Sequence, residues 1–355
     1  MIRRARALDG RSVLRLGNGF QIRLHNLAAA LALGLACLAL AALAVSIGAQ
    51  EVGLADLLRS LTGEPLDPAS AYALWTVRLP RIVVGFLAGW AVALSGAVLQ
   101  SLARNPLADP GLFGLNQGSM VAIMLLLVFL PAAPREIVPL AALLGGLGVG
   151  LLLIWLVGGA RSGGLAILLM GLAVETVLSA ITSILILYTP PETSYGLSAW
   201  LAGSLFQASW SGAAAFAPWF AVGVIGIAVF GRSLAVYDLG TDMARAIGEP
   251  VTRSRPVIFV FAVLMSSTAV SAVGPLTFLG VLAPHLAAFV SPATGRARLV
   301  LSSLMGGALV IAADGLLRGL PSTMALPIGL AITLVGVPLF MITLRLRTLR
   351  RLQAP

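Results

Sequence analysis

The sequence predicts an all-α membrane protein with about ten transmembrane helices, and three observations carry the prediction. Apolar residues make up 59% of the 355, charged residues only 10%, and mean hydropathy is +1.01; a soluble domain carries roughly 25% charge. Apolar runs of about 20 residues, the length that crosses a hydrocarbon core, recur from Leu27 to near the C-terminus. The runs are continuous and do not alternate with period two. That excludes a closed barrel, the other structure that satisfies every backbone polar group in lipid.

The elements follow in order. A polar, arginine-rich arm covers 1–26. The first span, 27–48, is longer than the ~7–15-residue apolar region of a signal peptide and is read as a retained helix. The next four spans are expected at 82–103, 113–131, 136–158 and 165–188. The sixth and seventh fall at 211–231 and 256–273. The eighth, 276–290, is short and holds Pro284 and His285. Spans at 298–317 and 325–345 complete a membrane domain over 27–346, followed by a polar tail, 347–355. The apolar piece Leu197–Phe206 is an additional half-helix candidate. Glycines inside spans (Gly145, Gly146, Gly148, Gly150, Gly306, Gly307) are read as close helix contacts.

Charge sets the orientation. Ten spans place both termini on one side, and that side then holds 18 of the 23 arginines. Positive residues favour the cytoplasm, so both termini are expected there. The net charge of +10 flanks spans and has no interleaved aromatics, which argues against nucleic acid. Every basic residue other than the two histidines is arginine. A standard P-loop needs a lysine on the phosphates, so any ATP hydrolysis belongs to another polypeptide. No cofactor or metal site is expected in this chain: the histidine of the eighth span has no second histidine nearby. The single cysteine, Cys37, cannot form an intrachain disulfide.

Five places carry further information. In 232–255, Asp242–Ile247 reads as a short helix bounded by Gly240 and by Gly248 with Pro250, and Met243 and Ile247 give it one apolar edge. Two short helices separated at Gly248–Pro250 suit docking onto a soluble partner; a solvated loop fits the residues equally well. Arg78-Leu79-Pro80-Arg81 puts two arginines against the charge bias, either as a contact for an acidic partner or as lipid-facing side chains. Asn105–Gly111 is a rigid turn, a connector or an inner constriction. Gly274–His285 breaks an apolar segment twice. Glu175 is a carboxylate inside the fifth span, facing either a pathway or a neighbouring helix.

RLPR with the span after it, NPLADPG, WLAGSL (200–205), DLGTDMARAIG, GPLTFLGVLAPH and ALPIG (325–329) occur in this order. Together they resemble the FecCD family, the permease subunits of type II ABC importers for ferric siderophores, haem and cobalamin. The resemblance covers about 30–350. It implies ten helices, a homo- or heterodimer of permeases, and location in a bacterial inner membrane. It implies a cytoplasmic ATPase dimer that uses ATP and Mg, and a periplasmic binding protein. By the same resemblance Gly240, Asp242, Met243, Arg245, Ile247 and Gly248 lie in a coupling helix. Arg78, Arg81 and Arg318 match arginines that dock the binding protein, and Asn105 and Leu107 match the inner gate. Ala325 replaces a common acidic residue, and Gly163–Gly164 stand where a related permease has gate hydroxyls. A ferric siderophore is the first cargo expected, then haem or cobalamin. The contrasting class is an ion-coupled secondary transporter, with Glu175 and Asp314 as its candidate ion sites.

Overall fold

The computed structural model describes residues 3–6, 12–15, 21–48, 50–134, 137–157, 164–189, 200–320 and 326–352. The N-terminal arm is not simply an extended polar segment. Its described parts form three short antiparallel strands, β1 (Arg3–Arg6), β2 (Ser12–Arg15) and β3 (Gln21–Arg23), in that order across the sheet. Val13, central in β2, is buried. With so few residues per strand, the sequence offered little alternation to read.

Ten apolar helices follow, interrupted by short polar ones. Helix α1 spans Leu24–Ser46. Two short helices, α2 (Leu54–Leu61) and α3 (Pro68–Ala71), lead through a π-helical turn, Tyr72–Arg78, into α4 (Leu79–Ala103). A 3-10 turn, Pro110–Phe113, precedes α5 (Leu115–Phe129). Then come α6 (Val138–Leu156), α7 (Gly164–Leu187), α8 (Trp210–Tyr237) and the short α9 (Thr241–Ala246). Helices α10 (Val251–Val273), α11 (Leu279–Val290), α12 (Gly295–Gly319) and α13 (Ile328–Leu352) complete the described bundle. Seven of these segments are long and apolar enough to cross a membrane, and three shorter apolar helices complete ten. All ten coincide with the expected spans, but three run on beyond them: α8 to Tyr237 instead of 231, α10 from Val251 instead of 256, and α13 to Leu352, into the segment read as a tail. Within Leu197–Phe206, Trp200 and Leu201 end a helix and the rest turns; 197–199 lie outside the described residues.

Helix α4 is the central pillar, with α8, α10, α11 and α12 packed around it. Its sequence explains this. Gly85, Gly89 and Gly96, with Ala88, Ala93 and Ala97, present a small-residue surface on which other backbones close. A methyl group at Gly89 would strike the Gly306 carbonyl, and one at Gly306 would strike that of Gly89. Gly96 meets the backbone of Gly280 in the same way. Gly118 and Gly145 join α5 to α6, and Gly146 and Gly150 back onto Ser267 and Val263 of α10. The packing role expected of the glycines holds for five of the six named. Gly148 has open space beside it. Helix α7 is the contrasting case: mostly apolar, yet little of it is buried within the chain. Such a helix needs lipid or another subunit around it.

Candidate functional site

The polar residues collect at the two ends of the bundle. Helix α4 starts at one end and α12 finishes there, so Arg78 and Arg81 come together with Arg318 from far along the sequence. Asp314, only 1% exposed, is the common partner of Arg81 and Arg318. Arg81 Nε donates to its Oδ1 at 2.7 Å. Arg318, one turn further along α12, places Nε 2.9 Å from Oδ2, an ion pair rather than an aligned hydrogen bond. The group carries three positive charges and one negative. Asp314 therefore holds two guanidinium groups and leaves no open carboxylate for a coupling ion.

Arg78 differs from the expectation of a partner-facing arginine. It is only 4% exposed and turns inward. Its guanidinium donates to the carbonyls of Val45, Gln50 and Val52, at 2.7 Å in the case of Val52. Arg318 Nη1 adds a bond to Ile47 O at 2.9 Å. Two arginines thus tie down the connection after α1, whose backbone carbonyls have no helical donors. Three of the recognised motifs meet at this end as well. Ser204 N donates to Val273 O and Ile328 N to Gly203 O, both at 2.8 Å. Gly203 (φ 82°) and Gly274 (φ 74°) take the left-handed backbone this junction requires.

The opposite end holds the short α9. Gly240 (φ 112°) lets the chain leave α8, and Gly248 (φ 87°) lets it turn into α10. Ala244 is fully buried and anchors α9 to the bundle. Asp242 and Arg245 face outward 3.8 Å apart. Met243 and Ile247 are 52% and 56% exposed, so the apolar edge read from the sequence faces away from the protein. The expected second short helix is absent. After Pro250 the chain enters α10 directly, and Pro256 lies inside that helix. Tyr237 Oη and Ser254 Oγ, 2.8 Å apart, fasten the flanks of the segment.

Beside α9, the chain leaves α4 through Arg104 in the left-handed conformation (φ 52°). Asn105 Oδ1 accepts from Leu107 N at 2.9 Å, closing a turn that leaves Leu107 exposed. Asp109 then points inward, its Oδ1 accepting from Gly111 N at 2.8 Å. The turn fits against α7: Phe113 lies on Gly171, and Gly114 abuts the backbone of Glu175. The structure therefore brings Glu175, its side chain half-buried, against Gly114 at the far end of the connection that Asn105 and Leu107 begin. Gly163 and Ala325 lie outside the described residues. Sequence reasoning missed Asp109, Arg298 and the shared role of Asp314. Only Asp109 left a signal, an Asp-Pro-Gly turn.

The family model for the FecCD transport family matches residues 35–346. The chain belongs to the FecCD transport family. The Fe(3+)-citrate import system permease YfmE of Bacillus subtilis is 30% identical over 319 residues, 90% of this chain and 95% of that protein. The cobalamin import system permease BtuC of Halobacterium salinarum is 33% identical over 279 residues, 78% of this chain and 74% of that protein. A solved inward-facing structure assigned to the metal-chelate type of ABC transporter superposes with a TM-score of 0.76. It covers 90% of this chain and 99% of its own at 23% identity, a likeness of fold. This FecCD protein is a multi-pass membrane permease, a transport subunit of the ABC importers, in which a partner ATPase uses the ATP.

Proposed function

We propose that this FecCD permease moves a ferric siderophore through a bacterial inner membrane, from a periplasmic binding protein to the cytoplasm. One observation carries the reading: an arginine cluster occupies one end of the bundle, and an outward-facing apolar helix edge occupies the other. The α9 end faces the cytoplasm, together with both termini, in keeping with the distribution of arginine. There Met243 and Ile247, flanked by Asp242 and Arg245 and set by Gly240 and Gly248, enter a groove of the ATPase dimer. At the far end Arg81 and Arg318 present charge to acidic lobes of the binding protein. Arg78 contributes by holding the loop beside them. A second permease copy, identical or related, covers the exposed face of α7, so that Asn105, Leu107 and Glu175 border the passage between subunits. An iron chelate as cargo is supported by the likeness to the iron-citrate permease; the likeness to the cobalamin permease supports the alternative.

The test is ATP-driven uptake into proteoliposomes holding the permease, its ATPase and its binding protein. Labelled ferric siderophore accumulates only with ATP, and haem and cobalamin fail to compete. Competition by cobalamin or haem reassigns the cargo. Uptake by the permease alone along an ion gradient would sink the ATP-driven reading.

A further inference from the structure

Two charges near α9 have the wrong sign for the helix ends they occupy. Arg298 lies in the first turn of α12, where the helix dipole disfavours a cation. Asp238 caps the C-terminal end of α8, where it disfavours an anion. Neither placement helps its own helix. They meet each other instead: Arg298 Nη1 is 3.2 Å from Asp238 Oδ1. The same nitrogen donates to Ser101 Oγ at 2.9 Å, and Nη2 donates to Gln100 Oε1 at 2.9 Å. Gln100 passes the connection on, because its Nε2 donates to Gly280 O at 3.1 Å. Gly280 in turn lies against the carboxylate of Asp109 and the ring of Pro110. One run of direct contacts thus leads from the base of α9 to the turn that holds Asn105 and Leu107.

We propose that Arg298 is a positioning residue that links movement of α9 to opening and closing of the 105–114 turn. The proposal rests on the reading of α9 as the ATPase contact and of Leu107 as part of the constriction. The guanidinium suits the task because its planar fork grips Asp238, Ser101 and Gln100 at once, which an ammonium group cannot do in the same geometry. Gln100 and Ser101 are buried in α4. The responding element is the turn itself, bounded by the left-handed residues Arg104 and Gly114, with Leu107 exposed and Asp109 buried at the end of the relay. A physical coupling requires such an element with two arrangements, biased from both sides.

The experiment uses the complete transporter in nanodiscs, with Cys37→Ser and Leu107→Cys in the permease. A water-soluble maleimide reports the reactivity of position 107 without nucleotide and with ATP plus vanadate. In this parent, nucleotide changes the labelling rate about 5-fold or more, the scale of an ordinary allosteric coupling. With Arg298→Gln added, the ATPase still binds and hydrolyses ATP, while the change at 107 falls below about 2-fold. Gln100→Glu separates a relay from a simple anchor. It keeps an acceptor for Arg298 but removes the donor to Gly280, and it abolishes the change at 107 equally. It also carries the test if Arg298→Gln prevents assembly. Labelling that responds to nucleotide in either assembled variant as in the parent overturns the relay. A parent that binds no ATPase, or whose position 107 ignores nucleotide, overturns the underlying permease reading along with it.

Discussion

Asp314→Asn tests the arginine end most directly. The substitution preserves shape and removes the single negative charge between Arg81, at 2.7 Å, and Arg318, at 2.9 Å. The carboxylate is 2% exposed, and the two arginine side chains are 19% and 14% exposed. Removing one partner of a buried pair costs about 3–5 kcal/mol. The arginines retain some water, so the lower figure applies, about 3 kcal/mol. The local charge rises from two positive to three, and the variant gains no compensating contact. The assay is unfolding in mixed micelles by titration with denaturing detergent, with Arg81→Gln and the double variant completing a cycle. Once Asp314 is neutral, Arg81→Gln relieves repulsion and costs little further. The coupling energy then exceeds about 1 kcal/mol, well outside the ~0.3–0.5 kcal/mol within which independent sites add. Additive effects, or a loss below about 1 kcal/mol for Asp314→Asn, refute the shared-carboxylate account.

Arg78→Met removes the guanidinium bonds to the carbonyls of Val45, Gln50 and Val52, and each bond to a charged group is worth about 1.5–3 kcal/mol. Protease should cut in 47–53 much faster in this variant, and an unchanged cleavage rate rejects the latch. Ile247→Asp places a charge on the exposed edge of α9 and lowers ATPase retention on co-purification by about tenfold, the effect of losing a hot-spot contact. Gly89→Val forces α4 from α12 against the Gly306 carbonyl and costs at least about 1–3 kcal/mol as overpacking, read as lower yield of folded permease. Binding-protein affinity falls as salt rises from 50 to 500 mM (about 14 to 4 Å in screening length), because Arg81 and Arg318 act by charge; salt-independent affinity removes them from docking.

The bundle was legible because length and hydropathy alone define a helix in lipid, and every apolar run became one. The α9 segment was legible for a local reason: Gly240 and Gly248 bracket seven residues with one apolar edge, and the structure keeps that grouping. What escaped was non-local. Arg78 looks like Arg81 in sequence, three residues away on the same motif. Their fates differ because the backbone of 45–52 folds over one, while Asp314 of α12 reaches the other. Arg298 read only as one more positive charge at a span end; its meaning appears once Asp238 and Gln100 are beside it. The strands of the arm were missed because three or four residues are too few to show a period.

The mutual seating of Gly89 and Gly306 has a mechanical consequence. Two helices whose carbonyls interlock at such short range cannot slide a fraction of a turn without collision, so α4 and α12 behave as one shaft. Gly96 and Gly280 extend the shaft to the start of α11. Any rocking of the subunit therefore carries α4, α12 and the start of α11 together, and the fold contains its own fixed axle.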